Sequence, residues 1–140
     1  MSTDVIVYVL TALAAVVVVL TRLRLARDEG AGRAKVPGGV VLGHTVAGVL
    51  ALLIWVPFLV FPEDSFIGSP LVGIIGLGFW WVTAIFGLLI LMRWLPSRGR
   101  HAVDASSDSW SEGPGLSVLA HVGMVVAVAI FTFAYLTSAV

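Results

Sequence analysis

The chain of 140 residues contains no cysteine, and only 11% of its residues are charged. The first absence excludes a disulfide framework, a thiolate metal site, an iron–sulfur cluster and a cysteine nucleophile. The second leaves less than half the charge of a soluble domain, which is about 25% Asp, Glu, Lys and Arg. Eight Lys and Arg balance eight Asp and Glu, so net charge gives no reason to expect nucleic acid or an acidic substrate as a partner. There is no glycine-rich phosphate loop, nucleophile elbow or metalloprotease motif. A polar catalytic constellation needs more titratable groups than the apolar stretches contain, so the chain is not expected to be an enzyme by itself.

What is present is apolar sequence, 59% of the chain, collected into four long runs. They cover about residues 5–21, 39–61, 71–92 and 116–137. Each is near the roughly 20 residues that cross about 30 Å of hydrocarbon as a helix. The runs are continuous, whereas barrel strands would be short and alternating, so helices are predicted. The first run follows Asp4 where a signal peptide has a cationic region, and it ends in Thr21-Arg22-Leu23-Arg24 with no small-residue cleavage site. It is therefore expected to be a retained span. The expected fold is all-α: an integral membrane four-helix bundle forming a single transmembrane domain over residues 1–140.

Charge placement predicts orientation. Arg22, Arg24, Arg27, Arg33 and Lys35 lie between the first two runs, and Arg93, Arg98 and Arg100 between the last two. Asp4, Glu63 and Asp64 lie on the opposite side, which has no Lys or Arg. The positive-inside rule then makes both longer loops cytoplasmic and places both termini outside a plasma (inner) membrane. Tyr8, Phe58, Phe61 and Tyr135 fall near the outer interface and Trp94 near the inner one, as an aromatic belt requires. Trp110 is expected to dip into the interface, and His101 to be solvated.

The two halves repeat. The second run opens Pro37-Gly38-Gly39-Val40-Val41-Leu42-Gly43-His44, and the fourth Pro114-Gly115-Leu116-Ser117-Val118-Leu119-Ala120-His121. Pro-Gly, Val-Leu, a small residue and His recur in register, with Pro-Gly suited to a helix start. Runs one and three end in Thr21-Arg22 and Met92-Arg93, which pairs the two arginines. Two tandem helical hairpins related by a pseudo-twofold along the membrane normal are the expected architecture. Gly39/Gly43 and Gly123/Ala127 stand at the four-residue spacing of close helix approach.

His44 and His121 are the ionisable residues inside the spans, and such residues mark functional sites by default. Each is the other's natural partner across the bundle axis. Neutral imidazole is a standard axial ligand of haem, and bundle cores house cofactors between facing helices. The expected cofactor is haem b, with His44 and His121 as its metal ligands. Arg22 and Arg93 would receive the two propionates as charge-assisted pairs. In this respect the arrangement resembles small membrane cytochromes b. The resemblance implies a haem-bearing subunit of a respiratory complex, working beside quinone and other membrane subunits or as a homo-oligomer in the lipid bilayer. One haem near the cytoplasmic face would relay electrons on that side rather than across the whole bilayer.

The competing reading is a cofactor-free accessory or assembly subunit. The histidines would then be interhelical hydrogen-bond glue to Thr45, Ser117, Thr83 or a backbone carbonyl, contributing about 1 kcal/mol each. Arg22 and Arg93 would be snorkelling anchors. A bare metal ion would need a third ligand, for which Met124 is the soft candidate. Pro57 is expected to kink the second helix and free the carbonyl of Leu53. Trp80 and Trp81, near mid-depth, need partners for their indole N–H groups or line a lipid, quinone or cofactor surface.

Overall fold

The computed structural model describes residues 2–28, 37–98 and 114–140. Among them the chain is helical throughout apart from its turns: α1 spans Thr3–Asp28, α2 Gly38–Val60, α3 Pro70–Arg98 and α4 Pro114–Leu136. The portions long and apolar enough to cross a membrane are Thr3–Leu23, Gly38–Val60, Pro70–Met92 and Val118–Leu136, each close to the run expected from sequence. Large apolar side chains such as Leu13, Leu53, Ile85 and Phe133 are exposed along the helices. A lipid-facing surface must look like this, since acyl chains are as apolar as leucine.

The helices form a closed ring in the order α1, α2, α3, α4, with each packed on its two neighbours. Consecutive helices are antiparallel. One end therefore holds the 61–69 link and both chain termini (the link end), and the other holds Arg22 and the start of α2 (the cationic end). Packing is most extensive between α2 and α3. The two are joined by a link that its own side chains bind together. Ser65 donates its hydroxyl to the Pro62 carbonyl (2.6 Å) and accepts the Gly68 N–H (3.0 Å), and Ser69 donates to the Phe66 carbonyl (2.7 Å). A Cβ at Gly68 would strike the carbonyl oxygens of Pro62 and Phe61, so the turn admits glycine alone. Pro70 then opens α3, where a missing N–H is no loss.

Helix α2 continues past Pro57 to Val60. The proline does withdraw the N–H that the Leu53 carbonyl would have received, but Leu53 is exposed and the Phe61 N–H closes the end on Pro57 (2.9 Å). Helix α4 ends with the Ala139 N–H on the Ala134 carbonyl (2.9 Å) and Ser138 at φ 50°, the left-handed closing that orphan carbonyls favour.

Each hairpin is tied by the same two kinds of bond. The Tyr8 hydroxyl of α1 donates to the Leu59 carbonyl of α2 (2.6 Å), and the Tyr135 hydroxyl of α4 donates to the Pro70 carbonyl of α3 (2.8 Å). The Trp55 indole of α2 donates to Thr11 of α1 (3.3 Å), and the Trp81 indole of α3 donates to Thr132 of α4 (3.1 Å). The tryptophan–threonine pair thus changes places between the halves. On α2 and α4 the repeat register holds, since His44 and His121 are both buried, as are Ala47 and Met124, and Ala51 and Val128. On α1 and α3 the Arg22–Arg93 register does not carry inward. It sets buried Val7, Thr11, Ala14 and Val18 against exposed Gly78, Val82, Ile85 and Leu89.

Candidate functional site: a histidine pair on glycine

The site is assembled from three helices near the cationic end. His44 is six residues into α2 and His121 seven into α4, which at 1.5 Å per residue is about 10 Å of helix in both cases. Both side chains are buried, at 3% and 8% exposure, and their ring centroids are 6.4 Å apart with the planes inclined by 45°. Helices α2 and α4 are diagonal in the ring, so the imidazoles meet across the bundle axis, as the sequence led us to expect.

Between them lies α3, and its contribution is a missing side chain. A Cβ at Gly87 would stand 2.9 Å from His121 Cδ2, 3.6 Å from His121 Nε2 and 3.5 Å from His44 Nε2. Both Nε2 atoms therefore approach one point on the α3 backbone, and any larger residue at position 87 would press on the pair. One residue earlier, the Phe86 ring lies over Gly43 of α2, where a Cβ would come within 2.7 Å of it. One turn toward the link end, Gly48 accommodates Val18 of α1 and faces the Thr83 methyl.

The threonines offered as glue are otherwise engaged as donors. Thr45 gives its hydroxyl to the Val41 carbonyl (2.9 Å) and Thr83 to the Phe79 carbonyl (2.8 Å), each on its own helix. The side chain of Ser117, the remaining threonine-like candidate, lies outside the described residues. Met124 is buried in the core one turn beyond His121. No group of three or more His, Cys, Asp or Glu side chains converges among the described residues.

The two arginines stand at different depths. Arg22 is one turn past Val18, and His44 one turn before Gly48, so the Val18–Gly48 contact puts Arg22 near the level of His44. It is exposed. Arg93 is six residues beyond Gly87, about 9 Å further toward the cationic end, and its side chain is outside the described residues. The register that pairs the arginines in the sequence is not the one that aligns the buried faces of α1 and α3. His101 and Trp110 lie outside the described residues.

The two central tryptophans separate. Trp81 is partly exposed and bonded to Thr132, whereas Trp80 is fully buried with its Nε1 atom unpartnered. Trp80 stacks on Phe131 (5.8 Å), Phe131 on Trp55 (5.4 Å), Trp55 on Phe58 (5.2 Å) and Phe58 on Tyr135 (6.2 Å), so aromatic rings fill the link half of the core. Between Trp80 and the histidines Ala14, Gly48, Ala51, Thr83, Ala84 and Ala127 are buried together with the larger Val18, Met124 and Val128. Gly87 is the residue that sequence reasoning missed. It is one of several glycines in an apolar run, and only the packing shows which of them faces the pair. Compared with known proteins, the chain matches no family model, no curated protein and no solved structure.

Proposed function

We propose that His44 and His121 are the axial ligands of one haem b, and that the protein is a small membrane cytochrome or the haem-bearing subunit of a respiratory complex. The observation that carries the reading is the pair itself: two buried imidazoles from diagonal helices whose nitrogens converge on a bare glycine. With ring centroids 6.4 Å apart, the two imidazoles are near enough that one metal could be shared between them.

The donor set also selects the kind of metal. A bare divalent ion takes three or four protein ligands, and no third His, Cys or carboxylate joins the pair among the described residues. Two imidazoles complete a coordination sphere when the metal brings four equatorial nitrogens of its own. On the link side of the pair Gly48, Thr83 and Ala84 share the core with the larger Val18 and Met124, and the Gly87 backbone stands close to both Nε2 atoms, so a flat macrocycle would require α3 to move away from the pair. When bound, such a group supplies one-electron redox chemistry. The protein's residues hold it, exclude water and set its orientation, with the exposed Arg22 at the right depth for a propionate. This makes the protein an electron carrier rather than an enzyme in its own right. Its cationic end would face the cytoplasm, and its electrons would pass between a partner there and membrane quinone or neighbouring subunits.

A dithionite-reduced minus air-oxidised spectrum of protein expressed with haem supplied tests the reading. A sharp reduced α-band at about one haem per chain, absent from the His44→Ala/His121→Ala double variant, is the expected result. A flat spectrum from helical, detergent-stable protein overturns it. In that case the cofactor-free accessory subunit becomes the better reading. Its support is that Gly78 and Gly123 face outward with nothing within 4 Å, leaving shallow surfaces that a neighbouring helix can approach closely.

A further inference from the structure

Met124 brings a soft donor to the histidine pair. It stands three residues after His121 on α4, and both side chains are buried, so they share one face of the helix. A methionine on a helix leans toward the N-terminus, over the turn before its own. On α4 that is the turn of His121. Across the bundle axis is His44, with its ring centroid 6.4 Å from that of His121. An added Cβ at Gly87 would lie 3.5 Å from His44 Nε2 and 3.6 Å from His121 Nε2. Both nitrogens therefore border one point beside the bare α3 backbone, a spacing on the scale of a single ion rather than of a macrocycle. Phe86 on Gly43 and Val18 on Gly48 close the core on either side of His44, and such an apolar shell keeps water from a metal.

The surroundings select the charge of the ion. Neutral imidazole and thioether bring no counter-charge, and no carboxylate joins the two histidines among the described residues. Asp4, Glu63 and Asp64 are at the link end, beyond the aromatic rings of the core. Arg22, near the level of His44, is exposed. The cost of an uncompensated charge in an apolar interior rises with the square of that charge, so a divalent ion is penalised far more than a monovalent one. Zinc also takes nitrogen, oxygen or thiolate donors at four tetrahedral positions. Imidazole with thioether suits copper(I).

We propose that the haem-free chain holds one soft monovalent metal ion of the copper(I) class between His44 Nε2, His121 Nε2 and the Met124 sulfur, with Gly87 keeping α3 clear of it. This goes beyond the haem reading and does not depend on it. An ion enters the helices as they stand, whereas a macrocycle requires α3 to move, and the two groups exclude each other. Binding forms two nitrogen–metal bonds and one sulfur–metal bond while the ion gives up its solvent or chelator ligands. The imidazoles enter neutral, and no proton or electron is transferred.

The test uses the full chain in detergent, prepared free of haem, and copper(I) held by bicinchoninate under anaerobic reducing conditions. The wild type should withdraw about one copper(I) per chain from the chelator and bind zinc(II) at least about tenfold more weakly. His44→Ala and His121→Ala should each lose at least about tenfold in copper(I) affinity. Met124→Leu, a swap of nearly equal volume, should weaken binding and remove the sulfur contribution from the copper X-ray absorption spectrum. Where a histidine variant fails to fold, Met124→Leu decides. A wild type that leaves copper(I) with the chelator overturns the proposal, as does zinc(II) bound as tightly as copper(I). Copper(I) retained by a folded His44→Ala/His121→Ala double variant, or a sulfur signal unchanged in Met124→Leu, also overturns it. The cytochrome reading fails on a different result, the flat spectrum of haem-supplied protein, so the two failures are distinct.

Discussion

The two halves of this bundle are built by opposite means. In the link half, large rings from α2, α3 and α4 stack in sequence from Trp80 to Tyr135, and glycines on α3 admit them. In the cationic half, alanine, glycine and Thr83 share the core with Val18, Met124, Ile90 and Leu91, and the two imidazoles are buried among them. Between helices in lipid there is no hydrophobic effect to gain, so stability comes from dispersion contacts and hydrogen bonds. By that measure the aromatic half carries the fold. The other half holds the histidine pair, with close contacts of its own at Gly43, Gly48 and Gly87.

The largest expected effect on stability therefore lies at Trp55. It is fully buried, stacks on Phe58 and Phe131, and donates to Thr11. Trp55→Ala should lower unfolding stability in detergent by on the order of 2–4 kcal/mol, the packing share of a core tryptophan truncation. Trp81→Ala, which removes a partly exposed ring and one hydrogen bond, should cost about 1 kcal/mol or less. If the two variants melt alike, burial and stacking of the Trp55 ring are not what stabilises the link half.

Glycine replacements test the same contrast at smaller scale. At Gly76 a Cβ would press at 3.3 Å on the Trp55 backbone nitrogen, and backbone cannot rotate aside. At Gly48 the obstruction is the two methyl groups of Val18, at 2.9 Å, on the less extensively packed α1. Gly76→Leu is expected to cost about 1–3 kcal/mol or to part α2 from α3. Gly48→Ala should cost less, although its nominal contact is shorter, because Val18 and α1 can shift. Thermal unfolding of the two variants in one detergent compares them. A larger loss at Gly48 would mean that the cationic half is the rigid one.

The four spans were legible because length and unbroken apolarity are all that crossing a bilayer demands. The histidine pair was legible because Pro-Gly starts both helices and fixes the same number of residues to each imidazole. What faces inward was not legible on α1 and α3. Lipid and core are equally apolar, so nothing in Val7–Val18 or Gly73–Gly87 marks the buried stripe, and the arginines at the helix ends suggested a register that the packing does not follow. The glycines show the same limit. The Gly39/Gly43 spacing suggested helix contact, yet Gly39 meets nothing within 4 Å and Gly43 houses a phenylalanine ring. The close backbone approach is at Gly76, one of three glycines (Gly73, Gly76 and Gly78) that the sequence marks for close packing without distinguishing which meets a backbone.

The smallest effect is the sharpest comparison, since it sets two buried tryptophans against each other with almost the same chemistry removed. Trp55 and Trp80 are both fully buried, and both stack on Phe131. The Trp55 indole N–H has Thr11 as its acceptor, whereas Trp80 Nε1 has none. Replacing each by phenylalanine keeps an aromatic ring and removes the donor. Trp55→Phe loses a hydrogen bond and leaves the Thr11 oxygen with less to do, which should cost about 0.5–1.5 kcal/mol beyond the lost ring volume. Trp80→Phe removes a buried N–H that nothing satisfies, and relief of that penalty, about 1–3 kcal/mol when a donor is left unpaired, offsets the lost volume. The variant should therefore melt within about 0.5 kcal/mol of the wild type. A Trp80→Phe protein as unstable as Trp55→Phe would mean that the indole is satisfied in the membrane by a group such as a buried water. Trp80 would then be a satisfied polar group within the aromatic half, as Trp55 is.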